Sequence, residues 1–184
     1  IIVLEDKDRD GKADSSHVFV TDPDIRHAAL GIAVFDNQIV LSSTPSIIVY
    51  TDVNRNAVFD EGIDKREVFL TGFRDASHDH TLHAVVGAPS GQWHFSYGNR
   101  GADITTKDGR HHISGCYYGY SDGIGKKSSD GEVYVGGMTM RINPDGTGLT
   151  PTGENMRNSH DMFVSSYGDI YQSDNDDPAH ARIS

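Results

Sequence analysis

The sequence has one cysteine, few cations and no long apolar run, and each shortage excludes a class of protein. Cys116 is the only cysteine, so no internal disulfide can form and the redox compartment stays open. Lys and Arg number 16 against 27 Asp and Glu. This balance argues against nucleic acid as a partner, because affinity for a phosphate backbone comes from cations.

Two structural signals are also missing. No apolar run approaches the roughly 18 residues of a membrane-spanning helix, so we expect no transmembrane segment. No stretch keeps a helical period over three turns, whereas short runs rich in Val, Ile, Tyr and Phe are bounded by Gly, Asp, Asn and Pro. This pattern is typical of strands and turns, and it predicts an all-β chain.

An internal repeat is the most informative feature that is present. Residues 2–20 are echoed by residues 48–70, and the shift from Asp6 to Asp52 is 46 residues. A period in the forties is typical of the four-stranded blades of a β-propeller. The chain has room for about three to four such blades. We therefore expect residues 1–184 to be a single fragment of a larger propeller.

The strand pattern gives the layout of the blades. The clearest blade is predicted as a four-strand meander at 31–35, 38–42, 46–50 and 66–70. Its hairpin pattern returns at 82–86 with 92–97, and at 161–164 with 169–173. The long last interval indicates an insertion at 99–136, which we predict to be a long loop off the blades without core strands. After it, 138–142 and 148–150 are predicted to complete the interrupted blade.

Two acidic loops are candidate Ca²⁺ sites. They alternate oxygen-bearing side chains, as a loop wrapped around a hard cation does. The candidate ligands are Asp6, Asp8, Asp10 and Asp14 in the first loop, and Asp52, Asn54, Asn56 and Asp60 in the second. Neither loop has the closing Glu of an EF-hand, so a structural Ca²⁺ loop of another type and a solvated turn both remain open.

A histidine cluster precedes the strand predicted at 82–86. In a propeller this strand lines the axial channel, where His80 is a candidate general base if Asp79 or Asp161 orients it. His78, His80 and His83 are too unfavourably spaced on a strand for a three-histidine metal site. The alternative is a set of polar residues that face a wet channel without chemistry.

The segment Arg157–Asn158 precedes the last hairpin as His80 precedes the one before it. A guanidinium and an amide at this position could hold an anionic cofactor or stabilise developing negative charge. Alternatively, Arg157 pairs with one of the abundant carboxylates. We expect His80 and Arg157 to converge on one channel mouth.

These features together resemble a known family. The acidic loop Asp6–Asp14, the run Arg66–Phe73, the Asp79-His80 strand start and Arg157-Asn158 are similar to the membrane-bound dehydrogenase propellers common in Planctomycetes and Verrucomicrobia. That family lies within the superfamily of soluble quinoprotein glucose dehydrogenase, whose members are six-bladed propellers. The likeness extends over nearly the whole chain, with Ser159 where the superfamily has proline.

The resemblance implies a function as well as a fold. It implies a dehydrogenase that oxidises a sugar or alcohol with pyrroloquinoline quinone, with His80 as base and Arg157, Asn158 and His83 near the cofactor. It implies Ca²⁺ near Asp174, Asp176 and Asp177. It also implies a cytochrome c as electron acceptor and a periplasmic or extracellular location.

Two other functions stay open on the residues alone. One is a non-catalytic propeller that binds a carbohydrate or protein partner through its loops, including Tyr117, Tyr118 and Tyr120. The other is a Ca²⁺-dependent, lactonase-like hydrolase, which requires carboxylate and amide groups around one central metal. Its candidate ligands are Asn158, Asp161, Asp174 and Asn175.

Overall fold

The computed structural model describes residues 1–25, 29–74, 79–116 and 123–175 and the backbone of 181–183. The regular secondary structure of these residues consists of strands, which turns and loops connect. Among the described residues no helix is long and apolar enough to cross a membrane. The prediction of an all-β chain is therefore confirmed. The strands are β1 (Ile2–Glu5), β2 (Ser15–Val18), β3 (Ala29–Phe35), β4 (Gln38–Ser43), β5 (Ser46–Thr51), β6 (Lys65–Thr71), β7 (Leu82–Gly87), β8 (Trp93–Tyr97), β9 (Ala102–Thr105), β10 (His112–Cys116), β11 (Tyr134–Val135), β12 (Gly137–Ile142), β13 (Thr150–Met156), β14 (Met162–Val164), β15 (Ile170–Asn175) and β16 (Ala181–Ile183).

The predicted meander forms a four-stranded antiparallel sheet in the order β3-β4-β5-β6. Its first hairpin turns through Asp36-Asn37, and Phe35 pairs with Gln38. Asp36 has a φ of 55°, a conformation that Asp tolerates better than most residues. The turn predicted from sequence is thus confirmed.

A second four-stranded sheet has the order β13-β12-β8-β7. Strands β7 and β8 form the second predicted hairpin, and β12 pairs with β8 from Met138–Tyr97 to Ile142–Trp93. The chain thus leaves this sheet after β8 and returns to it at β12. The last predicted hairpin, β14 with β15, belongs to a third sheet that β16 extends.

The segment between β8 and β12 differs from the predicted loop. It contains the three-stranded sheet β11-β10-β9, and Ala102, Ile104 and Ile113 are buried in the main core. The expectation of a long loop without core strands was therefore wrong for this part. Its strands have only two to five residues and lie between Gly-, Ser- and Lys-rich turns. Such strands are too short for an alternation of apolar and polar residues to be recognised in the sequence. Tyr117, Tyr118 and Tyr120 lie outside the described residues.

The main apolar core lies between the two four-stranded sheets. The side chains of Val40, Val49 and Phe69 from the first sheet meet Phe95 and Met140 from the second. The single tryptophan of the chain, Trp93, stacks on Phe35 with ring centroids 5.3 Å apart and packs on Phe69 at 5.1 Å. Burial of these large side chains supplies most of the favourable free energy that joins the sheets.

A smaller core covers part of the opposite face of the first sheet. The β1–β2 hairpin and the residues after it place Phe19 against Leu41, Ile48 and Tyr50. Arg66 adds an ion pair at the rim, where its Nε and Nη2 donate to Asp22 (2.6 Å) and Asp24 (2.7 Å). The hairpin is thus attached by both apolar and charged contacts.

Strand β7 lies at the meeting point of three sheets. It contacts β3, the first strand of one neighbouring sheet, and β14, the first strand of the other. A Cβ at Gly31 would lie 2.6 Å from the Ala84 Cα, so β3 and β7 can approach this closely only because residue 31 is glycine. The residues that precede β7 and β14 consequently lie together.

Candidate functional site

The residues before β7 and after β13 meet through Asn99. The Asn99 backbone N–H donates to the Arg157 carbonyl oxygen over 2.7 Å, and its side-chain Oδ1 accepts a hydrogen bond from His80 Nδ1 over 2.8 Å. Asn99 lies just after β8, on a loop that also pairs Arg100 N with the His80 carbonyl oxygen. The structure therefore brings together the segments of His80 and Arg157, which the sequence placed 77 positions apart.

The Asn99 bond fixes the chemistry of the His80 ring. Because Oδ1 of an amide only accepts, His80 Nδ1 carries the proton and Nε2 is the basic nitrogen. The imidazole is largely buried, with Asp79 Oδ1 at 3.9 Å from Nε2. Of the two carboxylates that the sequence offered as partners of this ring, Asp79 is thus close, whereas Asp161 accepts from the backbone N–H of Met162.

His83 lies three residues after His80, in strand β7, and is fully buried. Its Nε2 donates to Asn158 Oδ1 over 2.6 Å, and the His160 ring lies beside it with centroids 4.5 Å apart. Burial lowers the pKa of His83, with the Asn158 hydrogen bond opposing and the neighbouring His160 reinforcing the shift. His83 is therefore held as a neutral imidazole.

Asp174 holds the backbone of the segment before β14. Its carboxylate accepts the backbone N–H of Asn158 over 2.7 Å and of Arg157 over 3.0 Å. The Arg157 guanidinium donates to Asn175 Oδ1 over 3.2 Å. The predicted metal ligand Asp174 thus fixes the position of Arg157 and Asn158, while Asp176 and Asp177 lie outside the described residues.

Several buried polar atoms in this region have no hydrogen-bond partner among the described residues. They are His83 Nδ1, Asn158 Nδ2 and Ser159 Oγ. Buried polar groups are nearly always paired with protein, water or a bound group. We call this region between β7 and β14, with His83, Asn158 and Ser159, the hub. It has hydrogen-bond donors and acceptors that a bound molecule or water can satisfy.

The two acidic loops have the same backbone arrangement. Asp6 accepts the N–H groups of Asp10 (3.2 Å) and Gly11 (2.9 Å). In the second loop Asp52 accepts those of Asn56 (3.2 Å) and Ala57 (2.9 Å). Arg9 and Arg55 both have positive φ, at 62° and 59°. The sequence repeat is thus a structural repeat, located before β2 and before β6.

The last acidic residue of the first loop has a different counterpart in the second loop from the one predicted. Asp14 Oδ2 accepts the Lys7 N–H over 2.6 Å, and its equivalent is Asp64, whose Oδ1 accepts the Val53 N–H over 2.7 Å. Asp60, the predicted counterpart, belongs to extra residues in the longer second loop. The sequence repeat alone does not locate this insertion, because Asp60 and Asp64 both follow the alternating positions.

The two loops differ in the groups that surround their carboxylates. In the first, ligand oxygens of Asp6, Asp8 and Asp14 all lie within 4.8 Å of one another and are exposed; Asp10 is outside this group. In the second, Asn54 and Asn56 donate their side-chain N–H groups to Asp60 over 2.8 and 2.7 Å. These two bonds hold the pKa of Asp60 below its ordinary value.

The fold and site define an all-β protein with a buried polar hub at the meeting point of three sheets. Residues 1–183 match a family described as a domain of unknown function (DUF7133). The chain belongs to this family. No curated protein and no solved structure matches the chain.

Proposed function

We propose that the chain is part of a β-propeller whose hub oxidises a sugar or alcohol. In this proposal the sheets β3–β6 and β7-β8-β12-β13 are two complete blades, and β1–β2 and β14–β16 belong to the blades on either side. The contacts of β7 with both β3 and β14 support a radial order, because the first strands of successive blades adjoin at a propeller axis. The equivalent loops before β2 and β6 support a repeat of the same unit.

The convergence of His80 and Arg157 through Asn99 carries the proposal for the site. His80 Nε2 takes the proton of a substrate hydroxyl, since Nδ1 keeps its own proton in the bond to Asn99. Arg157 and Asn158 would hold pyrroloquinoline quinone, which would supply the acceptor for the hydride of the oxidised carbon. A cytochrome c is the proposed later electron acceptor.

The residues present suit an anionic quinone. The Arg157 guanidinium can bind a carboxylate group, with its backbone held by Asp174. The Asn158 Nδ2 is a buried donor without a partner among the described residues, and it suits a carbonyl or carboxylate oxygen. Ca²⁺ is proposed as a structural ion in the first acidic loop, where three carboxylates are close together.

The hydrolase alternative has less support from the same residues. Asp174 accepts two backbone N–H groups and Asp161 one. Among the residues that the structure describes, neither belongs to a cluster of three groups spaced for one metal. The binding-module alternative makes a different prediction, namely that the wild type binds a carbohydrate or protein partner without reducing the dye.

Reconstitution tests the proposal. The full chain is incubated with pyrroloquinoline quinone and Ca²⁺, aldoses and primary alcohols are added, and reduction of an artificial dye is followed. We expect reduction by the wild type and a loss of about 10²–10⁴-fold in His80→Gln, the range for removal of a general base. His111→Gln, at the tip between β9 and β10, is the matched control and should keep full activity.

Two results would contradict the dehydrogenase proposal. One is the absence of dye reduction by wild type with every substrate while the quinone is bound. The other is full activity in His80→Gln. Glycan binding without dye reduction would favour the non-catalytic module instead.

A further inference from the structure

The side chain of Asn158 is held in one orientation by its neighbours. It is 2 % exposed, and its partner His83 has no exposed surface. The backbone N–H of Asn158 donates to Asp174 Oδ1 over 2.7 Å, and its Oδ1 accepts from His83 Nε2 over 2.6 Å. Both ends of the residue are thus fixed from different strands, β15 and β7.

This arrangement determines whether Oδ1 or Nδ2 of Asn158 is left to bind a ligand. Because Oδ1 can only accept, the bond in this orientation places the proton of His83 on Nε2, whereas a rotated amide would require the Nδ1–H tautomer. The His83 bond therefore commits Oδ1 and leaves Nδ2 as the group that lacks a partner among the described residues. A buried donor in this state is satisfied only by an acceptor atom.

We propose that His83 is a positioning residue that presents Asn158 Nδ2 as a hydrogen-bond donor, so that the group bound beside it at the hub must offer an acceptor oxygen. His83 acts through Asn158, because its Nε2 bonds the Oδ1 of that residue and so leaves Nδ2 for the ligand. The family resemblance implies a direct cofactor contact for His83, and the proposal adds a role that acts through Asn158.

The charge state of His83 supports this role. The groups around it that titrate are His160, His80 and Asp79, and burial together with the two histidines lowers its pKa. A neutral imidazole has one N–H, and the Asn158 bond locates it on Nε2. Nδ1 then has no proton and remains an acceptor inside the hub.

The ligand part of this inference rests on the proposed function. A quinone with carbonyl and carboxylate oxygens offers the acceptor that Nδ2 requires, whereas a ligand with only N–H groups at this position would face an opposed donor. The orientation of Asn158, in contrast, depends only on His83 and can be measured without any ligand.

Two measurements on the full chain test the inference. ¹⁵N NMR of the imidazole nitrogens should show His83 as the Nε2–H tautomer, and its Nε2 proton should be protected from exchange. Binding of pyrroloquinoline quinone is then titrated by absorbance for wild type, His83→Gln, His83→Leu and Asn158→Asp. Circular dichroism establishes that each variant folds.

The variants separate positioning from packing. His83→Gln keeps an N–H that can reach Asn158 Oδ1, so its affinity should stay within about threefold of wild type, whereas His83→Leu fills the space without a donor and should lose about tenfold. Asn158→Asp keeps an acceptor for His83 but lacks the donor, and should lose at least as much as His83→Leu.

Defined results would overturn the inference. They are an Nδ1–H tautomer of His83, which would mean that Asn158 Nδ2 donates to His83, or an affinity of His83→Leu equal to wild type. If wild type itself binds no quinone, the proposed function fails, and the tautomer alone then decides whether His83 orients Asn158.

Discussion

The packing of the two four-stranded sheets yields a sharp prediction for adjacent residues of β6. Phe69 is 4 % exposed and lies against Trp93, whereas Val68 is 41 % exposed on the other face of the same strand. Truncation of Phe69 to alanine removes a buried ring and leaves a cavity, which costs about 3–5 kcal/mol. Val68→Ala removes only exposed methyl groups, and its cost should be about 1 kcal/mol or less.

Urea unfolding measures this difference, because the chain has one tryptophan and that residue lies in the contact. With an m value of about 2–3 kcal/mol/M, the urea midpoint of Phe69→Ala should fall by about 1–2.5 M while the m value itself stays unchanged. Circular dichroism must give the same midpoint, since the mutation also changes the surroundings of Trp93. For a domain whose total stability is typically about 5–15 kcal/mol, such a loss is severe.

Comparable midpoints for Phe69→Ala and Val68→Ala would contradict this prediction. That result would mean that β6 does not present Phe69 to the second sheet, and the packing of Phe35, Trp93 and Phe69 would then be wrong. The register of β6 against β5 would then be in question, because a shift of one residue moves side chains to the other face of the sheet.

Three further predictions concern charge. The pKa of His83 in the folded protein lies below its ordinary value of 6.5. The folded state therefore favours the neutral imidazole, and the free energy of unfolding falls as the pH drops below 6.5. Because His83→Gln removes this titration, it should flatten the dependence of Tm on pH between 6.5 and 5. Burial raises the pKa of Asp22, but hydrogen bonds from Arg66 and Tyr50 outweigh this effect, so the pKa lies below its ordinary value. Arg66→Met should therefore lower Tm at pH 7. The difference in Tm between Arg66→Met and wild type should shrink as the pH falls below about 4. In calorimetric titration with Ca²⁺, Asp8→Asn should abolish the heat of the first loop while Asn54→Asp in the second leaves it unchanged, and binding by Asp8→Asn as in wild type would contradict the proposed Ca²⁺ loop.

The strands of the first sheet could be predicted because their signals are local. Runs such as Gln38–Ser43 and Ser46–Thr51 combine β-branched residues with turns of Asp, Asn and Pro, and both signals act within a few residues. Strand β9 was not predicted, since its burial comes from contacts with distant residues: Phe73 forms an isolated bridge with Ala102. Tertiary contact, not propensity, makes this short segment a strand.

The candidate site could be predicted only in part for the same reason. His80 and Arg157 are conspicuous residues at equivalent strand starts, and the repeat predicts that such positions meet. No motif marks Asn99, an ordinary polar residue after a strand, although it forms the link between them. The pairing of His83 with Asn158 spans 75 residues and likewise requires the three-dimensional arrangement.

The location of the buried polar groups separates stability from the proposed activity. Between the two four-stranded sheets the core is apolar, and substitutions there should affect folding alone. Towards β14 the buried residues include His83, His94, Asn158 and Ser159, each with an atom that lacks a partner among the described residues. Such groups are less favourable for stability than apolar side chains of similar size. At Asn158 an apolar replacement would also leave the buried His83 Nε2–H without its acceptor, so it should lower stability as well as ligand binding. Ser159→Ala, in contrast, removes a buried hydroxyl that lacks a partner among the described residues. We therefore expect Ser159→Ala to preserve or raise stability, the opposite of the pattern expected for Phe69.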